Sequence, residues 1–345
     1  MSRALVAGME SGSTIEGAPN RRSQAGRCAV GSGPTLVPSL IETTRHIEPK
    51  RAFEFWRCTA LAPFGDIGQR HPRERFSAKR LSVASADWSL THTVSSPVEV
   101  EFRSRHVDRN AAAMVVIGLA VDGLGYQEQD GRGAQINAGD INFLSLNRPF
   151  VAGTLSAYEE IRLAVPRATF EAWIGRADAF AGRSLTRDPA GAEFRACLRS
   201  VAGSIAWMSA DEAQAAVEGA LHLLGRLAGG ATEEPRRELS QAAVGSLARA
   251  HIARRMRDPN LGPGEIHAAL GISRSSLYRT FAESGGIATA IRDARLDLAR
   301  RRLAAPQDSK LKIATIAYAC GFTDIPTFNR GFRRRFGLSP GDLRP

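Results

Sequence analysis

The chain has 345 residues, a formal net charge of +11 and 43% hydrophobic residues. This length exceeds what one hydrophobic core normally organises, so we expect two domains with connecting segments. Because no apolar run approaches the ~20 residues that cross a bilayer and the amino terminus lacks a secretory signal, we predict a cytoplasmic protein with no membrane partner.

The four cysteines are widely scattered and form no Cys-x-x-Cys pair; they are Cys28, Cys58, Cys197 and Cys320. Such spacing argues against both a disulfide framework and a zinc site, so we expect reduced thiols.

The first part of the chain predicts an arm followed by a β-rich domain. Residues 1–45 lack periodicity and predict a flexible arm, and residues 46–190 predict a domain that opens with a short helix at 53–56. The predicted strands cover residues 80–89, 98–104, 113–121, 135–136, 141–146 and 161–165. Asp130-Gly131 predicts a tight hairpin, and Ala138-Gly139-Asp140 predicts a turn. Many short strands at this spacing indicate a small barrel or sandwich.

The pattern becomes helical after Pro166, over residues 169–175, 192–207 and 211–227. One apolar stripe on the last of these helices comprises Val217, Leu221, Leu224 and Leu227. The stripe either packs within its own chain or meets its copy in a second subunit. We predict residues 191–235 as a helical dimerisation and linker region, whose end at 229–237 lacks core periodicity.

Residues 236–345 predict an all-α DNA-binding domain. Its helices are expected at residues 241–257, 263–270, 274–283, 287–303, 311–319 and 326–336. Residues 240–345 carry 18 Lys/Arg against 8 Asp/Glu, so nearly the whole positive excess lies here. A basic domain beside a neutral remainder suits a protein that neutralises DNA phosphates, although a generally arginine-rich composition gives the same excess.

Two stretches of this domain share a helix-turn-helix pattern, with an apolar helix face and a glycine at the bend. The first runs over residues 265–273 with Gly271 at the bend and Ser273 as a cap for the next helix. The second runs over residues 313–323 with Gly321, fifty residues later. The helix between them can place two recognition helices roughly 34 Å apart, in successive major grooves.

The end of the chain resembles the signature of the AraC/XylS family of transcription regulators, in the run GFTDIPTFNRGFRRRFGLSP at residues 321–340. Residues 273–281, followed by Arg295-Leu296 and Ala299, look like that family's first recognition helix and linker helix. Looser similarities to its cupin-type sensor domain lie at residues 53–57, 129–132, 139–140 and 147–150. The implied fold class is α+β: an amino-terminal cupin-like β-barrel with a helical linker, then an all-α domain with two helix-turn-helix motifs.

The resemblance also assigns the residues that face DNA. In the first recognition helix they are Arg274, Ser275, Tyr278 and Arg279. In the second they are Ile325, Pro326, Thr327 and Arg330, and Arg334 in the run 333–335 is expected at phosphate unless that run is a solvated helix end. Arg279 and Arg330 are the leading base-contact candidates, because arginine pairs bidentately with guanine. The residues expected in the core are Leu277, Phe281, Phe322, Phe328 and Phe332.

Two positions depart from the family pattern. His267 replaces the usual Ala beside the first turn, so that the first unit opens slightly or the imidazole projects to one side. Pro326 replaces the usual Ser at the start of the second recognition helix and supplies no capping hydroxyl.

The sensor part carries no recognisable catalytic motif. Its histidines, His71, His92 and His106, lack the paired spacing of a metal site, so we predict no metal and no cofactor. Glu159 and Glu160 are neighbours on a strand and are expected to point to opposite faces. The pocket candidates are Trp88, Phe102, Phe143 and Arg162, with ordinary core packing favoured for the three aromatic residues.

These observations predict a transcription regulator, an activator, that binds promoter DNA and a small-molecule effector of unspecified identity. A homodimer is expected, and the family resemblance implies RNA polymerase as a partner. Two alternatives stay open. One is an enzyme fused to this DNA-binding domain through a metal-held reactive cysteine, which the scattered cysteines disfavour. The other is a non-specific architectural DNA binder, which needs no sensor.

Overall fold

The computed structural model describes residues 36–61, 65–69, 75–107, 113–186, 189–229 and 237–343. The chain divides into two compact units. The first comprises Met1–Gly191 and Val201–Ala213, and the second comprises Ala192–Ser200 and Gln214–Pro345. Cys28, His71, residues 1–35 of the predicted arm and residues 230–236 at the end of the predicted linker region lie outside the described residues. No helix in the described part of the chain is long and apolar enough to span a membrane.

In its described residues, the first unit contains twelve strands in two antiparallel sheets. In chain order the strands are β1 (Ser39–Thr43), β2 (Asp66–Gln69), β3 (Ala78–Ala84), β4 (Ser89–Ser95), β5 (Val98–Phe102), β6 (Met114–Asp122), β7 (Leu124–Gln129), β8 (Arg132–Asn137), β9 (Ile141–Ser145), β10 (Phe150–Thr154), β11 (Tyr158–Pro166) and β12 (Ser184–Leu185). One sheet has the order β1-β3-β4-β11-β6-β9-β12, and the other has the order β2-β5-β10-β7-β8.

The two sheets enclose an apolar core. Phe102 and Phe150 from the five-stranded sheet stack with ring centroids 4.9 Å apart. They pack in one cluster with Val116, Leu144 and Ala164, which belong to the seven-stranded sheet. The predicted α+β class with a cupin-like β domain is therefore confirmed, but the barrel is a sandwich of two sheets rather than one closed sheet.

Both predicted turns are present. Asp130 (φ +56°) and Gly131 (φ +72°) link β7 to β8 next to the Gln129–Arg132 pair, as expected for a two-residue hairpin loop with two positive φ angles. In the second turn, the Asp140 carboxylate accepts the N–H of Asn137 at 2.8 Å.

The strand predictions need correction in two places, and β2, β7, β10 and β12 were not predicted. Residues 80–89 do not form one strand, because β3 ends at Ala84 and the Ser85 N–H donates to the Trp88 carbonyl (2.8 Å) in a turn before β4. The last part of the predicted arm forms β1, which pairs with β3 and is held by the Glu42–Arg80 ion pair at 2.8 Å. An edge strand of this kind leaves apolar side chains exposed, so it lacks the alternation that marks a strand.

The helices are, in chain order, α1 (Ala52–Trp56), α2 (Arg167–Trp173), α3 (Ala177–Phe180), α4 (Ala192–Ser204), α5 (Ala210–Gly229), α6 (Gln241–Arg255), α7 (Pro263–Leu270), α8 (Arg274–Phe281), α9 (Ile287–Leu303), α10 (Ile313–Ala319) and α11 (Ile325–Phe336). Their bounds from α6 onward agree with the predicted helices to within about two residues, because the apolar periodicity and capping residues there are strong.

The predicted linker region, residues 191–235, is shared between the two compact units. Residues 192–200 of α4 and 214–229 of α5 belong to the second unit, together with the DNA-binding helices. Gly219 of α5 lies so close to Leu247 of α6 that an added Cβ would be 2.7 Å from the leucine Cγ. The stripe residues Val217, Leu221 and Leu224 are buried within the chain, as packing within one chain requires.

Candidate nucleic-acid interface

The first helix-turn-helix is formed by α7 and α8. Pro263 opens α7, and Gly271 ends it in the left-handed conformation (φ +61°), with its N–H donating to the His267 carbonyl. The Ser273 hydroxyl then accepts the N–H of Ser276 at 3.1 Å and caps α8. The bend glycine and the capping serine are thus where the sequence predicts them.

The second helix-turn-helix is formed by α10 and α11, with Gly321 at φ +89° in the turn. The turn is longer here, and Asp324 caps α11 by accepting the N–H of Thr327 at 2.8 Å. Hydrogen bonds from Thr327 lower the pKa of the Asp324 carboxyl below its ordinary value. Pro326 is therefore the second helical residue rather than the first, and the cap that it does not supply comes from Asp324.

The two recognition helices have the same register when counted from their caps. Arg279 lies six residues after Ser273, and Arg330 lies six residues after Asp324. The fourth and eighth residues after each cap are buried; they are Leu277, Phe281, Phe328 and Phe332. With buried Phe322, the predicted core set is confirmed.

The residues predicted to face DNA are exposed with one exception. On α8 the exposed set is Arg274, Ser275, Tyr278 and Arg279, and on α11 it is Pro326, Thr327, Arg330 and Arg334. Ile325 is instead half-buried and packs against the core of the second unit. Ile325 therefore supports the helix more than it presents an apolar surface to a base.

A groove of about 720 Å³ runs along α11, lined by Ile313, Ile325, Asn329, Arg330, Arg333, Arg334 and Pro340. Sequence reasoning missed Asn329 as a candidate. It occupies the same position after its cap as Tyr278 does in α8, so aligning the two helices on their caps would have found it. An asparagine amide at this place can pair with adenine in the major groove.

The three consecutive arginines of α11, residues 333–335, contact different parts of the molecule. Arg333 and Arg334 line the groove. Arg335 instead binds acidic residues of α9, at 2.7 Å from Asp293 and 2.8 Å from Asp297. Arg335 thus links α11 to the connecting helix α9 through ion pairs. Arg333 and Arg334 remain candidates for phosphate contact.

Local contacts orient two of the exposed arginines. The His267 imidazole projects toward α8 and accepts a hydrogen bond from Arg274 Nε at 3.2 Å. Of the two outcomes expected for His267, the structure has the sideways projection. On α11, Arg330 donates to the Thr327 hydroxyl at 3.2 Å. Such contacts limit the conformations that a long side chain samples before it meets DNA.

The connecting helix α9 is anchored to the end of α6. Arg295 donates through Nε to the Met256 carbonyl at 2.8 Å and through Nη2 to the Asp258 carbonyl at 2.7 Å. Burial lowers the pKa of the Arg295 guanidinium from its ordinary value. These two bonds satisfy carbonyls just after the end of α6 and anchor α9 to that helix.

The sensor side contains packed aromatic residues at the pocket candidates. Trp88, Phe102 and Phe143 are buried, as the core interpretation expects. Arg162 pairs with Glu160 at 2.9 Å. Glu159 pairs with His92 at 2.8 Å, which agrees with the opposite directions predicted for the two glutamates.

Two cysteines have environments that suppress their reactivity. Burial raises the pKa of Cys197 to about 12 and also raises the pKa of Cys320, so both thiols stay protonated at neutral pH. This disfavours a reactive cysteine at these positions. Cys58 is exposed. Within the described ranges, no group of three or more His, Cys, Asp and Glu side chains is placed to hold a metal ion.

Known proteins match both parts of the chain. The transcriptional activator NphR of a Rhodococcus species is 24% identical over 322 residues, which cover 91% of this chain and 95% of NphR. The HTH-type transcriptional regulator GlxA of Rhizobium meliloti is 42% identical over 76 residues, 21% of this chain and 22% of GlxA. Among solved structures, the AraC-like transcriptional activator CuxR is 20% identical with a TM-score of 0.48, and the match covers 82% of this chain and 100% of CuxR.

Two domain families match in the predicted order. Residues 56–228 match the AraC-binding-like domain, and residues 266–345 match a helix-turn-helix domain. The first match alone covers half of the chain. Together with the two capped recognition helices, these matches establish that the chain belongs to the AraC/XylS family of transcription regulators.

Proposed function

We propose that this protein is a sequence-specific regulator that contacts promoter DNA with α8 and α11 and responds to a small-molecule effector in its AraC-binding-like domain. The observation that carries the proposal is the shared register of the two recognition helices, each with an exposed arginine six residues after its cap. An arginine at one fixed place on each helix can pair with guanine in two neighbouring grooves.

The regulator is an activator in this proposal, because its relative NphR is named as a transcriptional activator and the match covers nearly all of both chains. Bound protein would recruit RNA polymerase, and a homodimer would double the number of grooves contacted. The effector would act by favouring one of two pre-existing states of the protein.

The decisive experiment is a selection of bound sequences from random duplexes with the full chain, followed by affinity measurements on the best sequence and on scrambled DNA at several salt concentrations. A specific regulator is expected to prefer its best sequence by roughly a thousandfold or more at physiological salt. Equal affinity for both duplexes would instead identify a non-specific architectural binder.

To identify the effector, we would first map the genome positions to which the protein binds. Substrates of the neighbouring operons are then added to the purified chain, and DNA affinity is measured with and without each compound. A true effector changes DNA affinity, and DNA changes the affinity for the effector by the same factor.

A further inference from the structure

Two polar side chains of α5 bind the carboxyl end of α7. Arg226 donates through Nη1 to the Ala269 carbonyl at 3.2 Å, and the His222 ring nitrogen Nε2 donates to the Leu270 carbonyl at 3.1 Å. The last carbonyls of a helix have no partner within the helix, and a cation near them is also favoured by the helix dipole. Arg226 and His222 therefore complete the end of the first helix of the first helix-turn-helix.

The bend itself is shaped around Arg226. A Cβ added to Gly271 would lie 2.2 Å from Arg226 Nε and 2.3 Å from its Cζ. Gly271 is favoured by its left-handed backbone (φ +61°), and the Arg226 guanidinium occupies the space of its missing side chain, so a larger residue would displace the guanidinium. This packing places a charged group of α5 directly against the turn that sets the direction of α8.

The other end of α7 is tied to the same group of helices. The His251 side chain of α6 is only 1% exposed, and its Nε2 lies 2.9 Å from Glu265 in the first turn of α7. Its Nδ1 lies 3.1 Å from Glu193 of α4. The first helix of the first helix-turn-helix, α7, is therefore held at both ends by contacts that lead to α4 and α5.

The second bend is held from a different direction. A Cβ added to Gly321 would lie 2.3 Å from the Met256 carbonyl and 2.9 Å from Arg295 Nε. Both groups belong to the DNA-binding region, at the end of α6 and on α9. Each bend glycine thus faces an arginine, but only Arg226 lies in the AraC-binding-like region, which extends to residue 228.

We propose that Arg226, assisted by His222, is a positioning residue for the first recognition helix. It holds the bend between α7 and α8 and so sets how α8 presents Arg279 to bases. The inference rests on the proposed function, since it assumes that both recognition helices contact specific bases. The consequence is that α5, the last helix of the AraC-binding-like region, affects base recognition only at the DNA half-site that α8 contacts. Recognition at the half-site that α11 contacts depends instead on Arg295, which holds the second bend.

The test uses the full chain with Arg226→Ala on the selected DNA sequence. The Arg279→Ala and Arg330→Ala variants first assign one half-site to each recognition helix. Single-base changes are then introduced in both half-sites. In Arg226→Ala we expect discrimination at the α8 half-site to fall by about fivefold or more, with discrimination at the α11 half-site unchanged. Arg226→Lys retains one charged donor and is expected to recover part of the loss.

Two comparisons separate positioning from general damage. Arg45→Ala removes one positive charge from an exposed position in the first unit and is expected to leave both half-sites unchanged. Gly271→Ala forces the guanidinium away and is expected to reproduce the selective loss in the wild-type background. In the Arg226→Ala background the same glycine change is expected to cost less than in the wild type, because only the strain of the left-handed backbone remains once the guanidinium is absent.

Equal losses at both half-sites, or additive effects of the two substitutions, would overturn the positioning role while leaving sequence-specific binding intact. A wild-type chain that binds every duplex equally would instead overturn the proposed function, and this inference with it.

Discussion

Arg279 and Arg330 occupy equivalent places on two helices whose caps differ, a serine in one and an aspartate in the other. Replacing either arginine with alanine is expected to weaken binding to the best sequence by ~1–3 kcal/mol and to relax the preference at one base position. Competition binding against all single-base variants of the selected site measures both effects.

Arg334→Ala provides the contrast, since a phosphate contact carries no base information. This variant is expected to weaken binding equally for all sequences and to reduce the slope of log affinity against log salt by about 1. If the Arg279 and Arg330 variants behave in the same way as Arg334→Ala, their assignment as base contacts is wrong.

His222 is expected to make the stability of the protein depend on pH. Burial, and next the nearby positive charge of Arg226, lower its pKa from the ordinary value of 6.5. Below pH 6.5 the unfolded chain therefore binds a proton that the folded chain does not, so the stability present above this pH is progressively lost as the pH falls. The slope contributed by one such group is at most about 1.4 kcal/mol per pH unit.

The measurement is a series of urea unfolding curves between about pH 7.5 and 5. His222→Gln retains a donor for the Leu270 carbonyl but does not titrate, and it is expected to flatten the curve of stability against pH. His46→Gln removes an exposed imidazole from the first unit and serves as the control. Identical slopes in the wild type and in His222→Gln would contradict the expected role of His222.

At the scale of elements, the caps decide where the recognition helices begin. Ser273→Ala removes the acceptor for the Ser276 N–H and is expected to destabilise α8 by about 1 kcal/mol. Ser273→Asp keeps an acceptor at the same place and is expected to stay near the wild type. Urea midpoints of the full chain report the change. A Ser273→Asp variant as unstable as Ser273→Ala would show that the cap is not the cause.

The elements of the DNA-binding region were predictable because each one depends on residues close in sequence. Apolar spacing, the bend glycines and Ser273 locate α7 and α8 without reference to other parts of the chain. The cap of α11 is not evident from the sequence, because the second turn is longer than the first. The capping residue is Asp324, whereas Pro326 is the second residue of the helix.

The sheet elements were harder to predict for two physical reasons. Strands β7 and β10 carry Gly125 and Gly153, which weaken the strand pattern, yet the two strands pair with each other over residues 151–154. Strand β1 exposes Leu40 and Ile41 and depends on pairing with β3. Pairing between distant segments is not visible in local periodicity.

The candidate site shows the same division between local and distant information. Helical spacing places Arg279 and Arg330 on exposed faces, and the structure agrees. The contact between Arg226 and Gly271 joins positions 45 residues apart on different helices. No spacing rule connects them, so the contribution of α5 to the first bend emerges only from the three-dimensional structure.

At the scale of the whole molecule, family boundaries and compact units do not coincide. The AraC-binding-like match ends at residue 228, whereas residues 214–229 pack in the same unit as the helix-turn-helix region. A fragment that starts at residue 236 therefore lacks helical surface on which its own core depends. Leu247 would lose its contact with Gly219, and the carbonyls of Ala269 and Leu270 would lose their donors.

We therefore expect the fragments 236–345 and 192–345 to differ in stability and in DNA binding. The longer fragment retains α4 and α5 and is expected to unfold at a clearly higher urea concentration, because burial of the apolar face of α5 and the bonds to α7 are preserved. Introducing Arg226→Ala into the longer fragment should remove part of this advantage, since it deletes the bond to Ala269 but keeps the apolar face. If the two fragments have the same unfolding midpoint and the same half-site discrimination, α5 is not an integral part of the DNA-binding unit, and its contacts with the first bend have no energetic weight.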